Sequence, residues 1–176
     1  MRAFQHPEEY IPPGRYTRLM LHGSVMMSDT PSERISNRFF VMNAHGRILI
    51  AGLGLGLIVF AALERPEVEH ITIVEKYRDV IELVATTLTY RYGDHLSIVE
   101  SDIHSWRPKR DETYNVIYFD IWPDIRPENL TEMDRLHRRF AKRLDKGDPH
   151  RWMDSWERDR LLRLRRERRR SPWGRF

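Results

Sequence analysis

Residues 48–56 read Ile48-Leu49-Ile50-Ala51-Gly52-Leu53-Gly54-Leu55-Gly56. An uninterrupted apolar run passes into three alternate glycines, and a helical pattern resumes at Leu57. A strand this apolar is buried on both faces, as strands of parallel sheets are. Glycine suits the turn because the backbone must reverse sharply and a ligand can approach where there is no β-carbon. The start of the following helix offers unpaired amides and a partial positive charge. The spacing is G-x-G-x-G. The dinucleotide fingerprint requires glycine at 57, where this chain has Leu57, which disfavours a nicotinamide or flavin site. Alone, the triplet is equally well explained by close packing of a helix on a strand.

Working outward, apolar runs at 71–74, 96–99 and 115–120 alternate with helical patterns at 57–64 and 76–90. That alternation predicts βαβ units and an α/β, Rossmann-like, mostly parallel sheet. Three acids fall at the ends of the later strands. Glu75 follows Gly52 by 23 residues, close to the separation at which an acid meets ribose hydroxyls. Asp102 lies in Glu100-Ser101-Asp102-Ile103-His104, and Asp120 in Tyr118-Phe119-Asp120-Ile121-Trp122-Pro123. The glycine turn and the acids therefore share the carboxyl edge of the sheet, where open α/β sheets bind ligands.

Upstream, 16–27 reads as a β-hairpin. Thr30-Pro31-Ser32-Glu33 reads as a helix start with a capping box, and Ile35, Phe39 and Met42 form a stripe expected to bury against the sheet. Downstream of Asp120 no strand is expected. A helix over 128–144 carries Leu130, Met133, Leu136, Phe140 and Leu144 on one face. The chain divides into an irregular arm at 1–15, a Rossmann-like domain at 16–150 and an arginine-rich, helical tail at 151–176 with Trp152 and Trp156 one turn apart. The tail holds 10 arginines against 4 acids, whereas the other 150 residues hold 20 basic and 22 acidic side chains, so the net charge of +4 resides in the tail. Either a solvated helix or a nucleic-acid contact accounts for it.

With 176 residues, 40% of them hydrophobic, the chain can bury one core. No apolar run is long enough to span a bilayer and the first residues lack a secretory apolar segment, so a cytoplasmic protein without membrane contact is expected. The absence of cysteine excludes disulfides, thiolate metal sites and cysteine nucleophiles. The eight histidines lack metal-ligand spacing, so no metal site is assigned. His104 is a candidate base, although a surface-loop histidine is the commoner case.

From Ser24 to Leu144 these residues resemble class I S-adenosylmethionine-dependent methyltransferases, and more narrowly their spermidine-synthase-like branch. The resemblance implies that Gly52, Leu53, Gly54 and Gly56 hold the methionine moiety of S-adenosylmethionine. It places Glu75 at the ribose, with Lys76 next to it among the cofactor-binding residues, Asp102 with Ile103 at the adenine, and Asp120 at the reacting centre as the catalytic residue. The implied function is a methyltransferase with an unknown methyl acceptor. A non-catalytic adenosyl-ligand or nucleic-acid binding module, and an aminopropyltransferase-like or other S-adenosylmethionine-consuming enzyme, are the alternatives. Three features depart from the pattern. Ile50 stands where methyltransferases usually carry an acid, Leu53 and Leu55 stand where aminopropyltransferases carry one, and no Asn-Pro-Pro-Tyr-like motif follows the fourth strand. The family sheet has seven strands, and this one reads as truncated after the fourth. That leaves an exposed edge and implies a homo-oligomer.

Overall fold

The computed structural model describes residues 11–21 and 23–170. Most of the expected N-terminal arm, His22 and the end of the tail with Trp173 lie outside the described residues. An antiparallel hairpin, β1 (Arg18–Leu21) and β2 (Ser24–Ser28), leads into two short helices, α1 (Pro31–Ser36) and α2 (Arg38–Asn43). There follow β3 (Gly46–Ala51), α3 (Leu57–Leu63), β4 (Val68–Glu75), α4 (Arg78–Tyr92), β5 (Leu96–Glu100), β6 (Val116–Phe119), α5 (Asn129–Phe140), β7 (Trp152–Ser155) and α6 (Arg158–Arg170). The five strands β3 to β7 form a parallel sheet in the order β5-β4-β3-β6-β7.

The glycine strand is central, and its side chains alternate between two cores. Ile48 and Ile50 point to one face, with Ile71, Ile73, Val116 and Tyr118, beneath α2, α3 and α4. Leu49 and Ala51 point to the other, with Ile117, Phe119, Met133, Leu136, Phe140 and Leu161, beneath α5 and α6. Covering both faces is what makes the strand apolar throughout. At the opposite end from the glycines, Asp148 fastens the sheet. It accepts from Asn115 Nδ2 at 2.8 Å and lies 2.8 Å from His45 Nε2. The Asn115 bond, then His45, hold its carboxyl down at about 2.

Three expectations are corrected. A strand does follow Asp120: Trp152–Ser155, expected to be helical tail, pairs with β6 as β7. The sheet therefore has five strands, not four, and its edge on this side is β7 rather than β6, which is paired on both sides. Second, the helix after Thr30 is broken at Asn37. The side chain of Asn37 is buried and accepts a hydrogen bond from Tyr118 Oη at 2.9 Å. The break rotates the expected stripe outward: Ile35, Phe39 (54% exposed) and Met42 (66%) face solvent, and Phe40 (1%) packs on Tyr118 instead. Third, Thr30 sits at the helix start without capping an amide, and its hydroxyl meets Ser28 and Ser32.

Among the described residues no helix is long and apolar enough to cross a membrane. The register of α2 yields a paired test. Phe40→Ala should cost about 3–5 kcal/mol of stability in urea unfolding, and Phe39→Ala less than about 0.5 kcal/mol. Equal losses would contradict this packing.

Candidate functional site

The four strand ends converge as their order requires. At the end of β3 the chain enters the loop with φ of +95° at Gly52, +51° at Gly54 and +75° at Gly56, conformations that L side chains rarely adopt. Space forbids side chains as well. A β-carbon on Gly52 would collide with the backbone carbonyl of Asp120, and one on Gly54 with Met27 Sδ. The glycines are thus needed for close approach from both sides, by the loop after β6 and by the hairpin.

Glu75 fixes this loop. It is 5% exposed, and its Oε2 accepts from the amide of Leu53 at 2.8 Å while its Oε1 accepts from the amide of Tyr77 at 2.7 Å. An ionised carboxylate has about four acceptor positions, so two remain for a ligand. Beside it, Lys76 Nζ is 3.0 Å from Asp102 Oδ2, and Asp102 Oδ1 accepts from the amide of His104 at 2.9 Å. The His104 amide, then Lys76, hold the Asp102 carboxyl below its ordinary range. Ile103 is buried against the same wall.

These groups line one cavity of about 490 Å³, a size suited to small-molecule ligands. Its lining includes Gly52, Gly54, Glu75, Lys76, Asp102, Ile103, His104 and Asp120. Leu53 takes part through its backbone, its side chain being buried in the core. Gly56 is not in the lining and starts α3. His104 is paired rather than free. Its Nε2 lies 2.9 Å from Glu132 Oε1, and Glu132 Oε2 accepts from Trp122 Nε1 at 2.6 Å.

The sequence reading missed several contributors. Hairpin residues Leu19, Leu21, Met26 and Met27 cover the cavity, and Leu55 donates its amide to Met27 Sδ at 3.3 Å. Trp156, taken for tail, lines the cavity from just beyond β7, its indole N–H donating to Ser36 Oγ at 3.1 Å. Glu33, read as a capping residue, also faces the cavity. Only its position on a helix leading to the glycine strand hinted at this, and for Trp156 the one signal was an aromatic ring able to stack on a flat substrate. Burial, then the charge of Glu33, raises the Asp120 carboxyl to about 7. Burial and then Glu157 raise Glu33. The floor of the site therefore holds a carboxyl poised near neutrality beside a second acid, the condition for proton exchange at physiological pH.

No protein-family model and no curated protein matches this sequence. Solved structures do match. The CcbJ methyltransferase of Streptomyces caelestis is 15% identical, with 64% of this chain and 45% of that one covered, at a TM-score of 0.51. An SAM-dependent O-methyltransferase of Thermotoga maritima is 19% identical, with 58% and 38% covered, at 0.45. The chain spans between 38% and 64% of the lengths of such structures. The fold is thus the Rossmann-like fold of class I methyltransferases.

The raised Asp120 carboxyl has a signed consequence for stability. Because the folded state holds this proton more tightly than the unfolded chain, ionisation costs stability as pH rises from about 4 to about 7, and the cost is complete above that. Asp120→Asn should therefore raise Tm by several degrees at pH 8 and leave it nearly unchanged at pH 4. A shift that is the same at both pH values would show that burial does not perturb this group.

Proposed function

We propose that this chain binds S-adenosylmethionine in the hairpin-covered cavity and is a methyltransferase of the spermidine-synthase-like branch. One observation carries the reading: the glycine loop, Glu75, Asp102 with Ile103, and Asp120 all reach one cavity from four successive strand ends. The residues fit the cofactor's parts. The glycine loop admits the methionine moiety without a β-carbon in the way. Glu75 accepts from ribose hydroxyls with the positions that Leu53 and Tyr77 leave unused. Asp102 and Ile103 flank the adenine, and Lys76 orients Asp102. The methyltransferase fold of the solved structures supports the reading, and the hairpin over the cavity supports the narrower branch.

When bound, S-adenosylmethionine supplies an activated methyl group on a sulfonium. What remains for the protein is alignment of donor and acceptor, and removal of a proton from the acceptor. Asp120, whose carboxyl is raised to about 7, takes that proton, and the charge of Glu33 keeps it basic enough to do so. Leu19, Leu21 and Met27 shield the cavity from water on the hairpin side. Leu53 and Leu55, where an aminopropyltransferase would carry an acid, favour methyl transfer over polyamine synthesis.

Calorimetry with S-adenosylmethionine, S-adenosylhomocysteine and decarboxylated S-adenosylmethionine tests this. The first two should bind, and Gly54→Val should abolish binding. Glu75→Ala should weaken it by at least about tenfold, since a hydrogen bond to a charged group contributes roughly 1.5–3 kcal/mol. No binding by any of the three would overturn the reading. Preference for the decarboxylated form would transfer it to aminopropyl chemistry, and binding without turnover of any acceptor would leave a ligand-binding module.

A further inference from the structure

Away from the cavity, the strongest unexplained feature is the outer surface of α5 and α6. The two helices lie on the same face of the sheet. Leu130, Met133, Leu136 and Phe140 of α5 and Leu161 of α6 enter one core, and Arg158 Nη2 bonds Asp134 Oδ1 at 2.8 Å between the helices. With most of their apolar residues turned inward, both present cations outward. On α5, Arg135 and Arg138 are three apart and share one side, and Lys142 follows four residues on, in the 3-10 turn that continues the helix. On α6, Arg163 and Arg166 do the same, with Arg168 in the next turn. All six are exposed, and none makes an ion pair among the described residues.

We propose that this two-helix face docks on the phosphate backbone of a DNA duplex. A solvated helix surface usually mixes charges of both signs and pairs them at i,i+4. Here the segment from α5 to α6, residues 129–170, holds 15 Lys and Arg against 8 Asp and Glu; Asp159 and Glu167 stand exposed on α6 among the arginines, and four of the other acids are turned elsewhere. Glu132 meets His104 and Trp122, Asp134 meets Arg158, Asp148 meets His45 and Asn115, and Asp154 caps the amide of Ser155 at 2.8 Å. Single-strand binding relies on aromatic rings that stack on bases. The aromatic residues of these two helices reduce to Phe140 and His137, both turned inward, so the surface reads phosphates alone. A membrane is the poorer partner, because Leu161 and Leu162 of α6 are taken up by the second core and only Leu164, 39% exposed, is left for lipid. The helices begin at the cavity rim, where Glu132 and Trp156 line it. A duplex on this face therefore lies next to the site, although the docking does not depend on the cofactor reading.

The test is fluorescence anisotropy of the full chain, without cofactor, on a labelled duplex of about 24 base pairs, its separated strand, and vesicles with phosphatidylserine. About five phosphate contacts should give a slope of roughly −4.5 in log K against log salt, a loss of roughly 500-fold between about 50 and about 200 mM. R163E/R166E and R135E/R138E should each weaken duplex binding at least about tenfold and lower the slope by about 2, and R163K/R166K should retain both values. Arg91→Ala, on the opposite face of the sheet, should change neither. Circular dichroism on each variant separates loss of binding from loss of fold. Absence of duplex binding at low salt, a slope near zero, or preference for the single strand or the vesicles would each overturn the proposal. None of these results bears on S-adenosylmethionine binding.

Discussion

A carboxylate sunk beneath a backbone turn holds the site together. Glu75 ends β4 with almost no exposure, and the desolvation that burial imposes is met by two amide donors, one from Leu53 in the glycine loop and one from Tyr77 at the head of α4. The same group thus joins the central strand's loop to its neighbour's, while Gly52 donates to Val74 and Asp120 to Ala51 across the adjacent strand ends. Alternate glycines are the complement to this arrangement. Without their positive φ the Leu53 amide would not reach the carboxylate, and with a β-carbon the loop could not lie between the backbone of Asp120 and the sulfur of Met27.

Much of this was legible because buried parallel strands leave a strong pattern. Ile48 to Ala51 must be apolar on both faces, and the acids that interrupt the apolar runs stand where the sheet meets solvent. What escaped did so for physical reasons. Trp152-Met153-Asp154-Ser155 is a four-residue edge strand with no β-branched residue, and Trp152 and Trp156 mimic a helical repeat amid arginines. The strand exists because β6 offers it a partner, a tertiary cause that no local propensity records. Ile35, Phe39 and Met42 had correct helical spacing, but so did the competing side bearing Phe40. Asn37, buried to meet the Tyr118 hydroxyl, decided between them. Glu33 and Trp156 reach the cavity from elements about 120 residues apart in sequence, which only the folded chain brings together.

Charge is divided in the same economical way. The cavity gathers Glu33, Glu75, Asp102 and Asp120, whereas a row of unpaired cations lies on the outward sides of α5 and α6. The near-zero balance of the first 150 residues hides this division, because acids and bases that cancel in a count are separated in space. A molecule with such a polarised surface approaches a polyanion in a preferred orientation, since its field acts before contact is made.

The position of β7 also bears on how the chain is made. Strand β6 completes its pairing only with residues 152–155, and the second core closes only when Leu161 arrives. During vectorial synthesis the hairpin, the glycine strand and the first core emerge long before these segments. Until those segments are in place, Ile117, Phe119 and Phe140 lack part of their cover.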